Sequence, residues 1–415
     1  MRKPQTIEQL YLDFDGFFAG VEEQARPALR GRPIGVVPFA GVESTCVIAA
    51  NYKAKKFHIK TGTPVWEARK LCPDIALVPQ SPDLYVRAHH KLLSLIAQEI
   101  PIEQVCSIDE LTCKLDPFDI ADPYALAQRI KKRIFTEVGP YITCSIGVAP
   151  NRLLAKIAGD MDKPNGFTVL HPEKLPGRLF DLPIEDIPGV GRRMKKRLID
   201  VGIWTVEALW HTEPKQMRKI WNNVEGERLW YALHGYEMHV ETTERSMIGH
   251  GRVLPPESRH FDGAYEIARL LTVKAARRLR RESYVSDAFS LHLRYREGRW
   301  ARMVQLGHIN DDHAALGALK QLWGQAHLEM PANVSLLNFH VSFSALAPAT
   351  QYQLNMFGEE SGIRKKWLSI CETMDQVNNK YARTALSLGP WKPPHGGHAG
   401  GKIAFTRVPS KEDFW

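Results

Sequence analysis

Tyr11-Leu12-Asp13-Phe14-Asp15 and, about a hundred residues later, Cys106-Ser107-Ile108-Asp109-Glu110-Leu111 set carboxylates among β-branched and aromatic residues. Bare charge is costly in such surroundings unless something positive compensates it. The natural compensator is a divalent cation. Oxygen-only, carboxylate-rich sites suit Mg²⁺ or Mn²⁺, and two such ions roughly 3.5–4 Å apart serve phosphoryl and nucleotidyl transfer. Taken singly, each cluster also reads as a strand ending in a solvated acidic turn. Their neighbours along the chain tip the balance toward a shared site.

At 415 residues the chain exceeds one hydrophobic core, so about two to four domains are expected. With 44% hydrophobic and 24% charged residues it reads as an ordinary globular protein. No apolar run approaches the ~20 residues that span a bilayer, and Met1-Arg2-Lys3-Pro4-Gln5-Thr6 lacks the apolar region of a signal peptide. The expectation is a soluble, cytoplasmic protein with no membrane partner. Cys46, Cys72, Cys106, Cys113, Cys144 and Cys371 stand singly, with no Cys-x-x-Cys pair, which argues against a zinc site and a disulfide framework. A net charge of +9 and a pI near 9.1 favour a polyanionic partner.

Outward from the first cluster, residues 9–14 read as a buried strand and 16–24 as the helix it feeds. Pro27, Gly31, Pro33, Gly35, Pro38, Gly41, Gly62 and Pro64 then punctuate a small insert of short strands and turns. Helical spacing over 82–100 leads into the second cluster. A further helix at 123–138, a strand at 141–149 and a helix at 151–161 complete an α/β unit holding both clusters. Residues 171–236 differ in kind. There Pro188-Gly189-Val190-Gly191 opens a helix that begins Arg192-Arg193-Met194-Lys195-Lys196-Arg197. A glycine turn with free N–H groups at a helix start binds phosphate without reading bases. In a third unit, from about 246 to 346, Phe289, Leu291, Leu293 and Tyr295 alternate with Ser290, His292, Arg294 and Arg296, and Asn338, His340 and Ser342 recur on a polar face. Together with the basic helix 274–281, this layer suits a phosphate backbone. Residues 391–401 are too rich in Gly and Pro for a core.

In order along the chain, these blocks resemble the Y-family DNA polymerases, the translesion group, and within it the bacterial polymerase IV type. Residues 11–19 look like the family's first metal motif, and Ala50-Asn51-Tyr52-Lys53-Ala54-Lys55-Lys56-Phe57 like its nucleotide-gripping finger segment. Ser107-Ile108-Asp109-Glu110 matches the second metal motif, and 151–158 with Lys163-Pro164-Asn165-Gly166 the palm block. The implied fold is multidomain α/β and α+β: a right-hand polymerase with palm (1–15 and 82–170), fingers (16–81), a thumb with helix-hairpin-helix (171–240), a little finger (245–346) and a C-terminal tail (347–415).

The resemblance implies roles. Asp13, Asp109 and Glu110 would be catalytic and, with the Phe14 carbonyl, would hold two Mg²⁺ ions, with Mn²⁺ as a substitute; Asp15 is expected to support the site. Phe17, Phe18, Tyr52, Lys55 and Lys163 would bind the deoxynucleoside triphosphate, with Phe18 as the steric gate against a ribose. Gly189, Gly191, Arg192, Arg193, Arg294 and Arg296 would contact primer-template DNA. Gln353-Leu354-Asn355-Met356-Phe357 is similar to the bacterial sliding-clamp motif, with Gln353, Leu354, Met356 and Phe357 as anchors. A monomer is expected. Three positions depart from the family pattern: Lys55 for Arg, Ala49 for a hydroxyl residue and Gln104 for Glu. Losing a bidentate fork and a hydroxyl donor weakens triphosphate grip by order of ~1–3 kcal/mol each. The alternative is a catalytically weak scaffold that recruits another polymerase; a nucleotidyl cyclase, a third class, needs neither hairpin nor little finger.

Overall fold

Gln9–Phe14 forms strand β1, with Leu10, Tyr11, Leu12 and Phe14 buried, as a strand covered on both faces requires. The strands that follow are β2 (Ile34–Val37), β3 (Ala49–Ala50), β4 (Ala76–Pro79), β5 (Ile102–Val105), β6 (Glu110–Lys114), β7 (Cys144–Ala149) and β8 (Phe167–Val169). Five make one sheet in the order β5-β6-β1-β7-β8, antiparallel except for the β7–β8 pair. β1 is therefore central. The helix Arg152–Met161 lies on β7 so closely that a Cβ on Gly147 would stand 2.1 Å from the Ala155 carbonyl oxygen; only glycine fits there. The Pro- and Gly-rich insert is a small sheet, β3-β2-β4, with its own core of Val37, Val47, Ala54, Ile59 and Val65.

The structure, a computed structural model, describes residues 1–238, 245–351, 360–389 and 408. The chain divides into two compact units, one of residues 1–241 with 404–408 and the other of 242–403 with 409–415. In the first unit the helices Arg192–Asp200, Val206–Trp210, Pro214–Trp221 and Val224–Leu233 close on Leu198, Leu209, Met217 and Leu233. Asn151 ties them to the sheet. Its side chain caps Arg152–Met161 through the Leu154 amide and donates to the carbonyls of Ala232 and Tyr236 at 2.7 and 2.8 Å.

The second unit is a sheet of β9 (Met247–Val253), β10 (Tyr284–Tyr295), β11 (Arg299–Ile309) and β12 (Leu336–Pro348), in the order β11-β10-β12-β9, all antiparallel. The alternation read in β10 holds: Phe289, Leu291 and Leu293 are buried in the core, while His292 and Arg294 are exposed. The helices Phe261–Arg281 and Asp312–Glu329 pack into that same core. The basic helix therefore does not join the open basic face. Lys274, Arg277 and Arg278 are buried, and Arg280 binds Asp312 at 2.8 Å and Asp375 at 2.7 Å. Its charge is matched inside the unit because the helix sits on the apolar side of the sheet.

Asp375 belongs to a second departure. The stretch read as a tail carries the helix Glu360–Tyr381, which is packed: Cys371 and Asn378 are buried, Trp367 stacks on His313 at 4.3 Å, and Arg277 joins Asp375 at 3.0 Å. Its apolar positions are sparse and its anchoring is polar, which hides it from a search for hydrophobic stripes. Asp375→Asn is expected to lower the stability of this unit by about 2 kcal/mol, since hydrogen bonds to charged partners contribute roughly that much. Chemical denaturation followed by tryptophan fluorescence measures it. The clamp-like residues Gln353, Leu354, Met356 and Phe357 lie outside the described residues, as does the Gly- and Pro-rich stretch 391–401.

Candidate active site

The two acidic clusters meet because β1 and β6 run antiparallel side by side. Asp13 is the direct partner of Glu110 in the ladder, and the Phe14 amide donates to the Asp109 carbonyl at 2.8 Å. Three carboxylates thus arise at adjoining strand ends. Burial pushes the Asp13 carboxyl up to about 7 against the pull of Lys163, with Asp109 and Glu110 adding to the rise. Burial also raises Asp109, although the Ser107 hydroxyl donates to it at 2.5 Å. For Glu110 burial acts in the same direction but Lys156 outweighs it, so this acid lies below its ordinary value.

Lysines supply the positive charge in this arrangement. Lys163 pairs with Asp13 at 2.8 Å and Asp160 at 2.7 Å, and these partners overcome its own burial and raise its affinity for a proton. Lys156 pairs with Glu110 and with the Tyr11 hydroxyl, 3.1 Å away. Among the described residues no three acidic, His or Cys groups are already gathered at metal-ligand spacing. The donor set nevertheless fits a hard divalent cation: three oxygen-only side chains, partly buried, mutually repelling, and balanced by cations that a metal can replace.

Asp15 is oriented differently. It is 8% exposed, and both its oxygens accept local donors: the Thr143 hydroxyl at 2.9 Å, the Ser145 hydroxyl at 2.8 Å and the Asn165 amide at 2.8 Å. Its role is to tie β1 to the loop that bears Lys163.

The short helix Tyr52–Lys55, capped by Asn51 through the Ala54 amide, presents Tyr52 and Lys55 to the same region. The Lys55 ammonium lies over the Tyr52 ring at 3.9 Å. Burial and then Lys163 lower Lys55, while burial and then Asp15 push the Tyr52 hydroxyl up to about 12. Two mutually repelling cations beside a hydroxyl donor have the chemistry to accept a polyanionic phosphate. Phe18 stacks face to face on Tyr85, ring centres 4.4 Å apart at 11°. Phe17 is 3% exposed and packs between Phe14 and Phe18, so its ring backs that of Phe18 and is not itself open to a ligand. Ala49 pairs with Val36 in the small sheet, and Gln104 accepts from Arg152 at 2.6 Å.

Elsewhere in the first unit, Gly189 (φ 94°), Gly191, Arg192 and Arg193 form an exposed turn and helix start above the buried Val190 and Leu198. In the second unit Arg294 is exposed on β10 and Arg296 on the turn beyond it.

A sequence model of the impB/mucB/samB family matches residues 12–160, and one of that family's C-terminal domain matches 245–356. DNA polymerase IV of Moorella thermoacetica is 32% identical over 388 residues, covering 91% of this chain and 94% of that protein. The chain belongs to the Y family of DNA polymerases. Another family member, DNA polymerase IV of Oceanobacillus iheyensis, is 28% identical over 91% of this chain and 90% of its own. Among solved structures, a Y-family DNA polymerase chimera of Dbh and Dpo4 superposes with a TM-score of 0.67 at 25% identity, covering 81% of this chain and 98% of the chimera. A post-insertion binary complex of Dbh DNA polymerase gives 0.56 at 26% identity with the same coverage. The first matched stretch runs from within β1 through β7 and includes the small sheet; the second spans β9–β12.

Nothing in the sequence around Lys156, Lys131 or Tyr85 marks them as part of this region. Lys156 falls within residues 151–158, but a lysine on a helix carries no mark of the strand-end acid it reaches. Its contact with Glu110 depends on the helix lying across the sheet.

Proposed function

We infer that the chain is a template-directed DNA polymerase of translesion type that adds deoxynucleotides to a primer 3′ end with low fidelity, in DNA damage tolerance. The observation that carries this reading is the in-register meeting of Asp13 with Glu110, beside Asp109 and within reach of Lys163. Asp13, Asp109, Glu110 and the Phe14 carbonyl would hold two Mg²⁺ ions, with Mn²⁺ able to substitute. When bound, these ions lower the pKa of the primer hydroxyl and balance charge on the leaving pyrophosphate. Lys163, Lys55 and the Tyr52 hydroxyl hold the triphosphate. They fix the α-phosphorus in line with the primer end, where orientation lowers the barrier. Phe18, resting on Phe17 and Tyr85, closes the sugar pocket against a 2′ hydroxyl.

The palm comprises 1–15 and 82–170, the fingers 16–81, the thumb 171–240 and the little finger 245–346. Gly189 and Gly191 offer backbone N–H groups to a DNA phosphate, while Arg192, Arg193, Arg294 and Arg296 add charge that is sequence-independent. The enzyme acts as a cytoplasmic monomer on primer-template DNA. All three carboxylates are retained, so the scaffold alternative is not favoured. Single-nucleotide primer extension with Mg²⁺ tests the reading; wild-type protein that binds DNA but incorporates nothing would return the scaffold to first place.

Gln353, Leu354, Met356 and Phe357 dock the bacterial sliding clamp in this reading. The support is a Gln followed by spaced apolar anchors in a polymerase chain. Leu354→Ala is expected to weaken clamp binding about tenfold, as an interface anchor does when truncated, while extension without clamp stays the same. Equal clamp affinity in surface-binding measurements on both proteins would remove the assignment.

A further inference from the structure

The loop 163–166 carries Lys163, and its base is gripped from two sides. Lys131, on the helix Pro123–Glu137, donates its ammonium to the carbonyl oxygens of Asn165 at 2.6 Å and Gly166 at 2.8 Å. Asp15 accepts from the Asn165 amide at 2.8 Å, while Thr143 and Ser145 hold that carboxylate in place. The Gly166 amide completes the cage by donating to Ser145 Oγ at 3.2 Å. Asn165 adopts φ 56°, a left-handed conformation that Asn tolerates better than most residues with a side chain, and it turns the loop so that its amide and carbonyl face these partners. Charge-assisted bonds of these lengths are about twice as strong as neutral ones. A cation holds the loop's carbonyls and an anion its amide, so sliding the loop breaks both.

Lys131 also lines a cleft of about 280 Å³ with Phe135, Ile142 and Cys144, a cleft whose walls include none of the three carboxylates. It therefore approaches the loop from outside the reacting centre. Lys163 would serve a phosphate as a point charge on a flexible stem, so which phosphate it can reach depends on where its backbone is held. That placement comes from the loop's base.

We propose that Lys131 and Asp15 are positioning residues for triphosphate capture: they clamp the 163–166 loop, set where Lys163 can reach, and so tune nucleotide affinity through another residue. This rests on the assignment of Lys163 to the triphosphate. The clamp also helps a chain that has Lys55 and Ala49 where its family usually has Arg and a hydroxyl residue. With two donors weakened, the third must be well placed.

The test uses the full chain bound to primer-template DNA. Lys131→Met is expected to raise the dissociation constant for all four deoxynucleotides about tenfold, with the rate at saturating nucleotide changed by less than about twofold. Lys131→Arg, which keeps the cation, restores most of the affinity. In a Lys163→Met background the same substitution adds little, because two residues acting through one group are not additive. If Lys131→Met does not fold, Thr143→Val loosens Asp15 instead and shifts the constant in the same direction. An unchanged dissociation constant in the folded variant, or a full additive loss on top of Lys163→Met, overturns the proposal. Wild-type protein that binds no nucleotide removes the polymerase reading, and the clamp's role with it, so the two failures are distinguishable.

Discussion

Asp109→Ala abolishes measurable primer extension: the expected loss in kcat is about a thousandfold or more, equivalent to about 4 kcal/mol or more of transition-state stabilisation. Asp109 is half-buried beside Asp13 and Glu110; Glu110 raises the cost of ionising Asp109, and both raise that of ionising Asp13. Such a trio is stable only with matching positive charge. In the structure lysines provide part of it, Lys163 on Asp13 and Lys156 on Glu110. Asp109 has neither lysine as a bonded partner; its nearest donor is the Ser107 hydroxyl. It is thus the acid whose charge most needs a cation from outside the chain. Removing it should leave the fold intact, because it ties no helix and bridges no strands through its side chain. Rapid-quench measurement of a single turnover separates this loss from DNA binding. Extension by the variant at near wild-type rate would remove the carboxylates from the chemistry.

Phe18→Ala is expected to reduce discrimination against ribonucleotides roughly a hundredfold, at the upper end of the ~1–3 kcal/mol that a steric clash in packed surroundings costs. The wall can exert that clash only if it does not yield. Phe18 lies flat on Tyr85, which is fully buried and donates its hydroxyl to Glu22 at 2.7 Å. Glu22 is in turn buried and paired with Arg26 at 3.3 Å. Behind the gate, then, stand a ring and an ion pair rather than a mobile loop. The comparison of kcat/KM for matched deoxy- and ribonucleotides checks the effect. An unchanged sugar preference would deny Phe18 its role.

The site was legible to the extent that its chemistry is local. Asp13 and Asp109 announce themselves because carboxylates beside Leu12, Phe14 and Ile108 make no sense as plain core. The alternation of Phe289, Leu291 and Leu293 with His292 and Arg294 named both faces of a strand, since side chains alternate wherever the chain is extended. Charged helices were less legible. Residues 274–281 looked like a phosphate-binding face, yet Arg280 is held between Asp312 and Asp375, residues more than thirty and ninety positions away. Charge composition counts cations without saying what faces them. The helix Glu360–Tyr381 escaped notice for the same reason, being fastened by such pairs.

From the residues alone came the strand-end acids, the glycine turn at 189–191 that opens a basic helix, and the alternating sheet. Each follows from backbone geometry and side-chain chemistry within a few neighbours. The fold added which partners each acid meets. Asp15 differs from Asp13 by two positions and no chemistry, but β1 ends at Phe14 and the turn that follows carries Asp15 to Thr143, Ser145 and the 163–166 loop, while Asp13, still in the strand, meets Glu110. The partners of Lys131, Lys156 and Lys163 were likewise settled by packing: a long flexible cation takes whichever anion or carbonyl the fold brings within its reach.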